Sequence, residues 1–220
     1  MIERDYIMRM IQMLTGALAK VMFRKNLHQY EEVLGEIDEA SEHLIGMKWT
    51  FLHSFSDEQL AELFGSSDRK DKLIVAAELL RAESEILFEQ WKQEEACSSG
   101  MKAVSLFARL IIEEKGYLDV MQADKFISLL HRLDEYHLPA PINRRLVQLH
   151  EVMGDFAAAE KVLMNVIDED PAFAGEGIAF YRRMLEKKDE ELCKGGLVRE
   201  KAAERLAKLA TVSSGMQGPG

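Results

Sequence analysis

The stretch Ala140–Pro171, APINRRLVQLHEVMGDFAAAEKVLMNVIDEDP, constrains the fold more than any other part of the chain. Pro141 suits the first turn of a helix, where its missing N–H is no loss. Leu146 puts a large apolar side chain on that helix, which continues to Met153. Gly154-Asp155 turns the chain, and Phe156–Asp168 runs back as a second helix. Ala159 is small where the two helices approach closely, Leu163 is large one turn on, and Asp170-Pro171 stops the return helix. A tight break between two periodic segments predicts an antiparallel helical hairpin. One hairpin cannot bury its apolar face alone, so further helices have to stack on it.

The remaining residues supply them. Tyr6, Ile7, Met10, Ile11, Leu14, Ala17, Leu18, Val21 and Met22 recur at three- and four-residue steps, which predicts one amphipathic helix over 3–25. Met8 and Met13 make its apolar stripe wider than one neighbouring helix would cover. After a break at Asn26-Leu27-His28, the pattern resumes over Gln29–Ile45. Met47–Phe55 is aromatic and strand-like, but no second strand candidate exists to pair with it, so it is expected to be a loop. Ser56 reads as an N-cap with Gln59 completing a capping box. Long helices are expected over Asp68–Trp91 and Ala96–Lys115, then over Asp119–Tyr136, Glu176–Cys193 and Leu197–Leu209.

The hairpin at 140–170 resembles one tetratricopeptide repeat, a unit of about 34 residues built as helix, turn, helix. Leu146, Gly154-Asp155-Phe156, Ala159, Leu163 and Asp170-Pro171 carry the resemblance; Asn143 and His150 depart from it, standing where the pattern has aromatic residues. A weaker echo lies 63 residues upstream at Gln93, Ala96, Gly100 and Ala103, and another 63 before that at Tyr30, Val33, Ile37 and Ala40. The segments Asp5–Ile11, Ala17–Lys20, Tyr30–Glu32 and Glu36–Ala40 are similar to an uncharacterised bacterial family of helical-repeat proteins of unknown function. That likeness implies a tetratricopeptide-like fold and a cytosolic protein, with no catalytic residue to carry over.

The expected architecture is therefore all-α: tetratricopeptide-like hairpins over 3–46, 68–115 and 140–170, stacked as a short right-handed superhelix. Added helices are expected over 56–65, 119–136, 176–193 and 197–209. A single domain would span 1–211, with a disordered tail at 212–220.

Charge narrows the partners. The net charge is −10, and it is uneven: residues 1–26 carry five Lys/Arg against two Asp/Glu, residues 27–100 six against seventeen. Nucleic-acid binding needs clustered cations, so nucleic acid is not an expected partner. Cys97 and Cys193 lack metal-like spacing and read as reduced thiols in a cytoplasmic protein. Met10–Ala19 imitates a signal peptide, but charged residues precede a short run interrupted by Gln12 and Thr15. No segment approaches the roughly 20 apolar residues that cross a bilayer.

The catalytic signatures tried each fail at a named residue. His150-Glu151 begins a zinc-protease motif, but Gly154 stands where the second histidine belongs. Gly175-x-Gly177 begins a dinucleotide loop, but Phe180 takes the third glycine position. No histidine follows a glutamate by three residues, as di-iron bundles require. His131, Asp134, Glu135 and His137 read as a solvated helix end. No catalytic, cofactor-binding or metal-ligating residue is expected.

What remains is a surface. Carried over from tetratricopeptide arrays, the outward positions of the first helices are Thr15, Leu18 and Met22, then Glu78, Arg81, Glu85 and Phe88, then Arg144, Gln148 and Glu151. The last seven form the expected partner groove of a protein- or peptide-binding scaffold. Two alternatives stand beside it: a homodimer through residues 3–25, and an enzyme with dispersed catalytic residues.

Overall fold

The computed structural model describes residues 2–64, 69–113, 123–133, 136 and 138–216, with side chains placed for 12–64, 70–113, 128–133, 136 and 138–211. Every regular element among these residues is a helix, so the protein is all-α. The chain divides into two compact units, Met1–Leu138 and Pro139–Gly220.

The first unit holds α1 (Ile2–Asn26), α2 (Tyr30–Leu44), α3 (Trp49–His53), α4 (Asp57–Leu63), α5 (Arg69–Glu89), α6 (Gln93–Glu113) and α7 (Ala123–Leu133). α1 pairs with α2, α5 with α6, and α5 also packs on both α1 and α2. Ion pairs reinforce this arrangement: Arg24 reaches Glu36 at 2.9 Å and Glu32 at 2.5 Å, and Lys25 reaches Glu89 at 2.9 Å. Helix α6 lies close to its neighbours because Gly100 has no side chain. A Cβ there would come 2.8 Å from Ser84 Oγ on α5 and 3.2 Å from Leu133 Cδ2 on α7. The capping box forms as expected: Ser56 Oγ accepts from Gln59 N, and Gln59 Oε1 accepts from Ser56 N.

The second unit holds α8 (Ala140–Met153), α9 (Phe156–Glu169), a 3-10 turn (Pro171–Phe173), α10 (Ala174–Glu186), α11 (Asp189–Lys194) and α12 (Arg199–Met216). Its core gathers Phe156, Ala159, Leu163, Phe180, Tyr181, Met184, Leu192 and Leu197. Gly195 seats α11 and its following turn against the hairpin: its carbonyl accepts from Ala157 N at 2.8 Å. The fully buried Tyr181 donates to Glu160 Oε1 at 2.6 Å, and burial above all pushes its phenol up.

The three hairpins share one turn. Their second helices begin at Tyr30, Gln93 and Phe156, each 63 residues after the last. Two residues earlier the backbone enters the left-handed region, at His28 (φ 57°), Trp91 (φ 63°) and Gly154 (φ 77°). Each residue after these donates back to the carbonyl five positions earlier: Gln29 to Arg24, Lys92 to Leu87, Asp155 to His150. The left-handed residues donate to Lys25, Phe88 and Glu151, which completes the same helix-ending motif three times. The buried positions keep step too: Val33 and Ile37, Ala96 and Gly100, Ala159 and Leu163. The equal spacing read from sequence thus has a geometric counterpart in each hairpin.

Three expectations change, and a fourth is seen only in part. Met47–Phe55 is not a loop: Trp49–His53 is a short helix, anchored where Trp49 N donates to Asp38 Oδ1 at 2.8 Å. The helix expected over 176–193 is two, α10 and α11, divided at Lys187-Lys188. α12 continues to Met216, past the point where a tail is expected. Of the helix expected over 119–136, Ala123–Leu133 is seen as helix; 119–122, 134 and 135 lie outside the described residues.

Candidate functional site

The expected groove residues divide between the two units. On α5, Arg81 is buried between two carboxylates on its own helix. Its guanidinium meets Glu78 Oε2 at 3.0 Å and Glu85 Oε1 at 2.5 Å, with 6% of the side chain exposed. Replacing Arg81 would strand both carboxylates, so a variant there reports on stability before binding. Phe88 is half-buried beside the Tyr136 ring, with the Arg132 guanidinium 5.3 Å above it.

In the second unit, Arg144 pairs with Glu176 at 2.7 Å and covers the Phe173 ring. Glu151 accepts twice from Arg183, at 2.8 and 2.7 Å, and this holds the guanidinium charge above its ordinary range. Gln148 is exposed. Beside them, the His150 Nδ1 is buried with no hydrogen-bond partner, and burial holds its imidazole below the ordinary range against the pull of Asp155.

A buried carboxylate on α5 organises the first unit. Glu83 is 7% exposed. It accepts from Trp49 Nε1 at 2.6 Å, His53 Nε2 at 2.9 Å and Ser99 Oγ at 2.8 Å. Burial pushes its carboxyl up; the bond and charge of His53, with the bonds from Trp49 and Ser99, outweigh that and hold it low. Lys102 donates to the carbonyls of Leu52 and His53, at 3.0 and 3.1 Å. Trp49, Glu83 and Ser99 are buried, while His53 is exposed and Lys102 half-buried. Ser99 donates to the Glu83 carboxylate and not to the His53 ring, so the order of groups differs from that of a hydrolase triad, in which the hydroxyl meets the imidazole. The effect of these bonds is to clamp α3 onto α5 and α6.

That clamp turns the other side of α3 outward. Phe51 is 57% exposed and meets Phe55 edge to face, with ring centroids 5.0 Å apart. With Leu63 of α4 they line a cleft of about 800 Å³ whose rim carries Lys48 and Lys72. Sequence reasoning overlooked these residues. The available signal was the four-residue spacing of Phe51 and Phe55 in the chain's most aromatic stretch.

The second exposed apolar surface lies on α1. Leu14 and Val21 are buried, while Met13, Met22, Phe23 and Leu27 stand 44%, 44%, 66% and 53% exposed. Of the other outward positions expected on this helix, Thr15 is exposed and Leu18 half-buried.

Of the titratable set at the end of α7, His131 is exposed, and Asp134, Glu135 and His137 lie outside the described residues. Among the described residues no three His, Cys, Asp or Glu side chains are placed to hold a metal ion. Both cysteines are free thiols; Cys97 is buried, which raises its pKa, and Cys193 is exposed. No helix among the described residues is long and apolar enough to cross a membrane.

Against known proteins, the model of a family of unknown function (DUF6483) matches residues 1–214. No curated protein and no solved structure matches the chain.

Proposed function

The chain belongs to that family of unknown function, and we propose that it is a non-enzymatic, tetratricopeptide-like scaffold that binds a helical segment of a partner protein. The docking surface is the exposed face of α1. One observation carries this reading: equivalent positions of the repeated hairpin are buried on α5 and open on α1. Phe23 is 66% exposed, and its equivalent 63 residues on, Ile86, is 0%. Met13 is 44% exposed, and its equivalent Ala76 is 0%. Gly16 is exposed, and its equivalent Leu79 is fully buried.

The difference has a physical reason. Stacked hairpins bury the outer face of each first helix against the hairpin before it, and α5 packs on α1 and α2. The same kind of face on α1 leaves Met13, Gly16 and Phe23 exposed, and exposed apolar surface in soluble proteins marks an interaction site. An apolar helix laid along it would repeat the contact that α5 makes within the chain. A cytoplasmic partner fits the two free thiols.

A second reading puts another copy of this chain on the same face. Lys20, Arg24 and Lys25 are each already paired with a carboxylate of α2 or α5. Two α1 helices can therefore approach along residues 12–26 with these cations already matched. Sedimentation of the full chain beside a Met13→Glu/Phe23→Glu variant separates the readings. A dimer that the variant abolishes favours the second copy, and a monomer in both favours a different protein.

A further inference from the structure

A second surface, independent of α1, is more specific about what it takes. The cleft beside α3 is lined by Phe51, Phe55 and Leu63, with Lys48 and Lys72 at its rim. Cations of the first unit are mostly consumed internally: Lys20, Arg24, Lys25, Arg81 and Arg109 sit on carboxylates, and Lys102 on carbonyls. Among the described residues Lys48 and Lys72 have no such partner, in a segment with six Lys/Arg against seventeen Asp/Glu. Two ammonium groups beside the exposed Phe51 ring and the half-buried Phe55 ring, in an acidic segment, select for negative charge next to an apolar group.

We propose that this cleft is a docking site for an acidic, amphipathic peptide segment of a partner protein. A large apolar side chain enters between Phe51, Phe55 and Leu63, and flanking Asp or Glu carboxylates reach Lys48 and Lys72. Three features choose this occupant. Phe51 at 57% and Leu63 at 52% exposure leave the cleft open, so a lone acyl chain would stay largely wet, whereas small-ligand sites bury most of their ligand. A side chain anchored on a protein surface needs only such a shallow aromatic seat. Glu42 also lines the cleft; it opposes a compact phosphate dianion but can accept a main-chain N–H of a peptide.

The test is selection from a display library of random short peptides on the full-length protein. Enriched sequences are then synthesised and titrated against wild type, Phe51→Ala and Lys48→Glu/Lys72→Glu, with dodecanoate as competitor. Phe51 and Lys48 are exposed and Lys72 is half-buried, and melting temperature checks the fold. The expected result is enrichment of an aromatic or large aliphatic residue next to Asp or Glu, with roughly tenfold weaker binding to each variant. Because the face of α1 is untouched by these variants, failure here leaves the reading of that face standing. The proposal is overturned by enriched peptides that lack acidic residues, by binding that survives both variants, by displacement with dodecanoate at equal concentration, or by no enrichment at all.

Discussion

Trp49 and Glu83 are bonded across 34 residues of sequence: the indole Nε1 donates to a carboxylate oxygen at 2.6 Å, in the interior of the first unit. The same carboxylate takes His53 and Ser99, so one side chain of α5 holds both α3 and α6. Glu83→Ala would leave three donors without their acceptor and should destabilise the first unit by about 3 kcal/mol. Trp49→Phe removes one donor and should cost about 1–2 kcal/mol. In a double-mutant cycle by urea denaturation, the two losses should be clearly non-additive. Additive losses would mean the bond contributes nothing.

Acid should loosen the same unit. The Glu83 carboxyl is held below its ordinary value of 4.5. The folded state therefore prefers the ionised form, and the stability this adds is complete above the ordinary value. It is lost as pH falls through the lower, folded value. Wild type should lose stability more steeply than Glu83→Gln on the acid side of pH 4.5. Parallel stability curves for the two proteins would contradict the assignment.

The repeated turn makes an opposite prediction, a gain. Trp91 is 84% exposed and sits at φ 63°, where a side chain with a Cβ is strained. The equivalent residue in the third hairpin is Gly154, which has no such penalty. Trp91→Gly should raise stability by about 0.5–1 kcal/mol, and Trp91→Ala should not. Thermal unfolding of both variants decides it; a loss on Trp91→Gly would mean that the indole holds the turn.

Two glycines of the second unit should respond with opposite signs. A Cβ on Gly195 would overlap the Phe156 ring and come within 2.5 Å of the Gly154 carbonyl oxygen, which is backbone and cannot rotate away. Gly195→Ala should cost roughly 2–4 kcal/mol. A Cβ on Gly175, in the first turn of α10, meets nothing within 4 Å. Gly175→Ala should gain about 0.5–1 kcal/mol. Chemical denaturation of the two variants checks the seating of the 195 turn on the hairpin.

Local rules made much of the fold legible. Ser56 and Gln59 announce their helix by spacing alone, and Gly154-Asp155 its turn. Residues such as Val33, Ile37 and Ala40 reveal a buried face by period. The equal spacing of Tyr30, Gln93 and Phe156 was visible as composition, though His28 and Trp91 gave no sign of the left-handed backbone they adopt. α3 escaped because five residues are too few to establish a helical period. The break at Lys187-Lys188 carries no glycine or proline to mark it.

The candidate site was harder to read, because its residues act through distant partners. Arg81 looks like a surface cation in sequence. Its burial depends on Glu78 and Glu85 lying one turn away on each side. Glu83 looks like one acidic residue among many in an acidic segment. Only the fold brings Trp49, His53 and Ser99 to it, and that contact in turn exposes Phe51.

The central claim is that the open face of α1 docks a protein. It is tested most directly by quantitative affinity capture from lysate of the native host, with wild type beside Met13→Glu/Phe23→Glu. Both residues are exposed, at 44% and 66%, so the variant should keep its melting temperature. The prediction is at least one protein, whether another chain or a second copy of this one, held by wild type and depleted roughly tenfold or more with the variant. Identical capture profiles from the two folded proteins would contradict it.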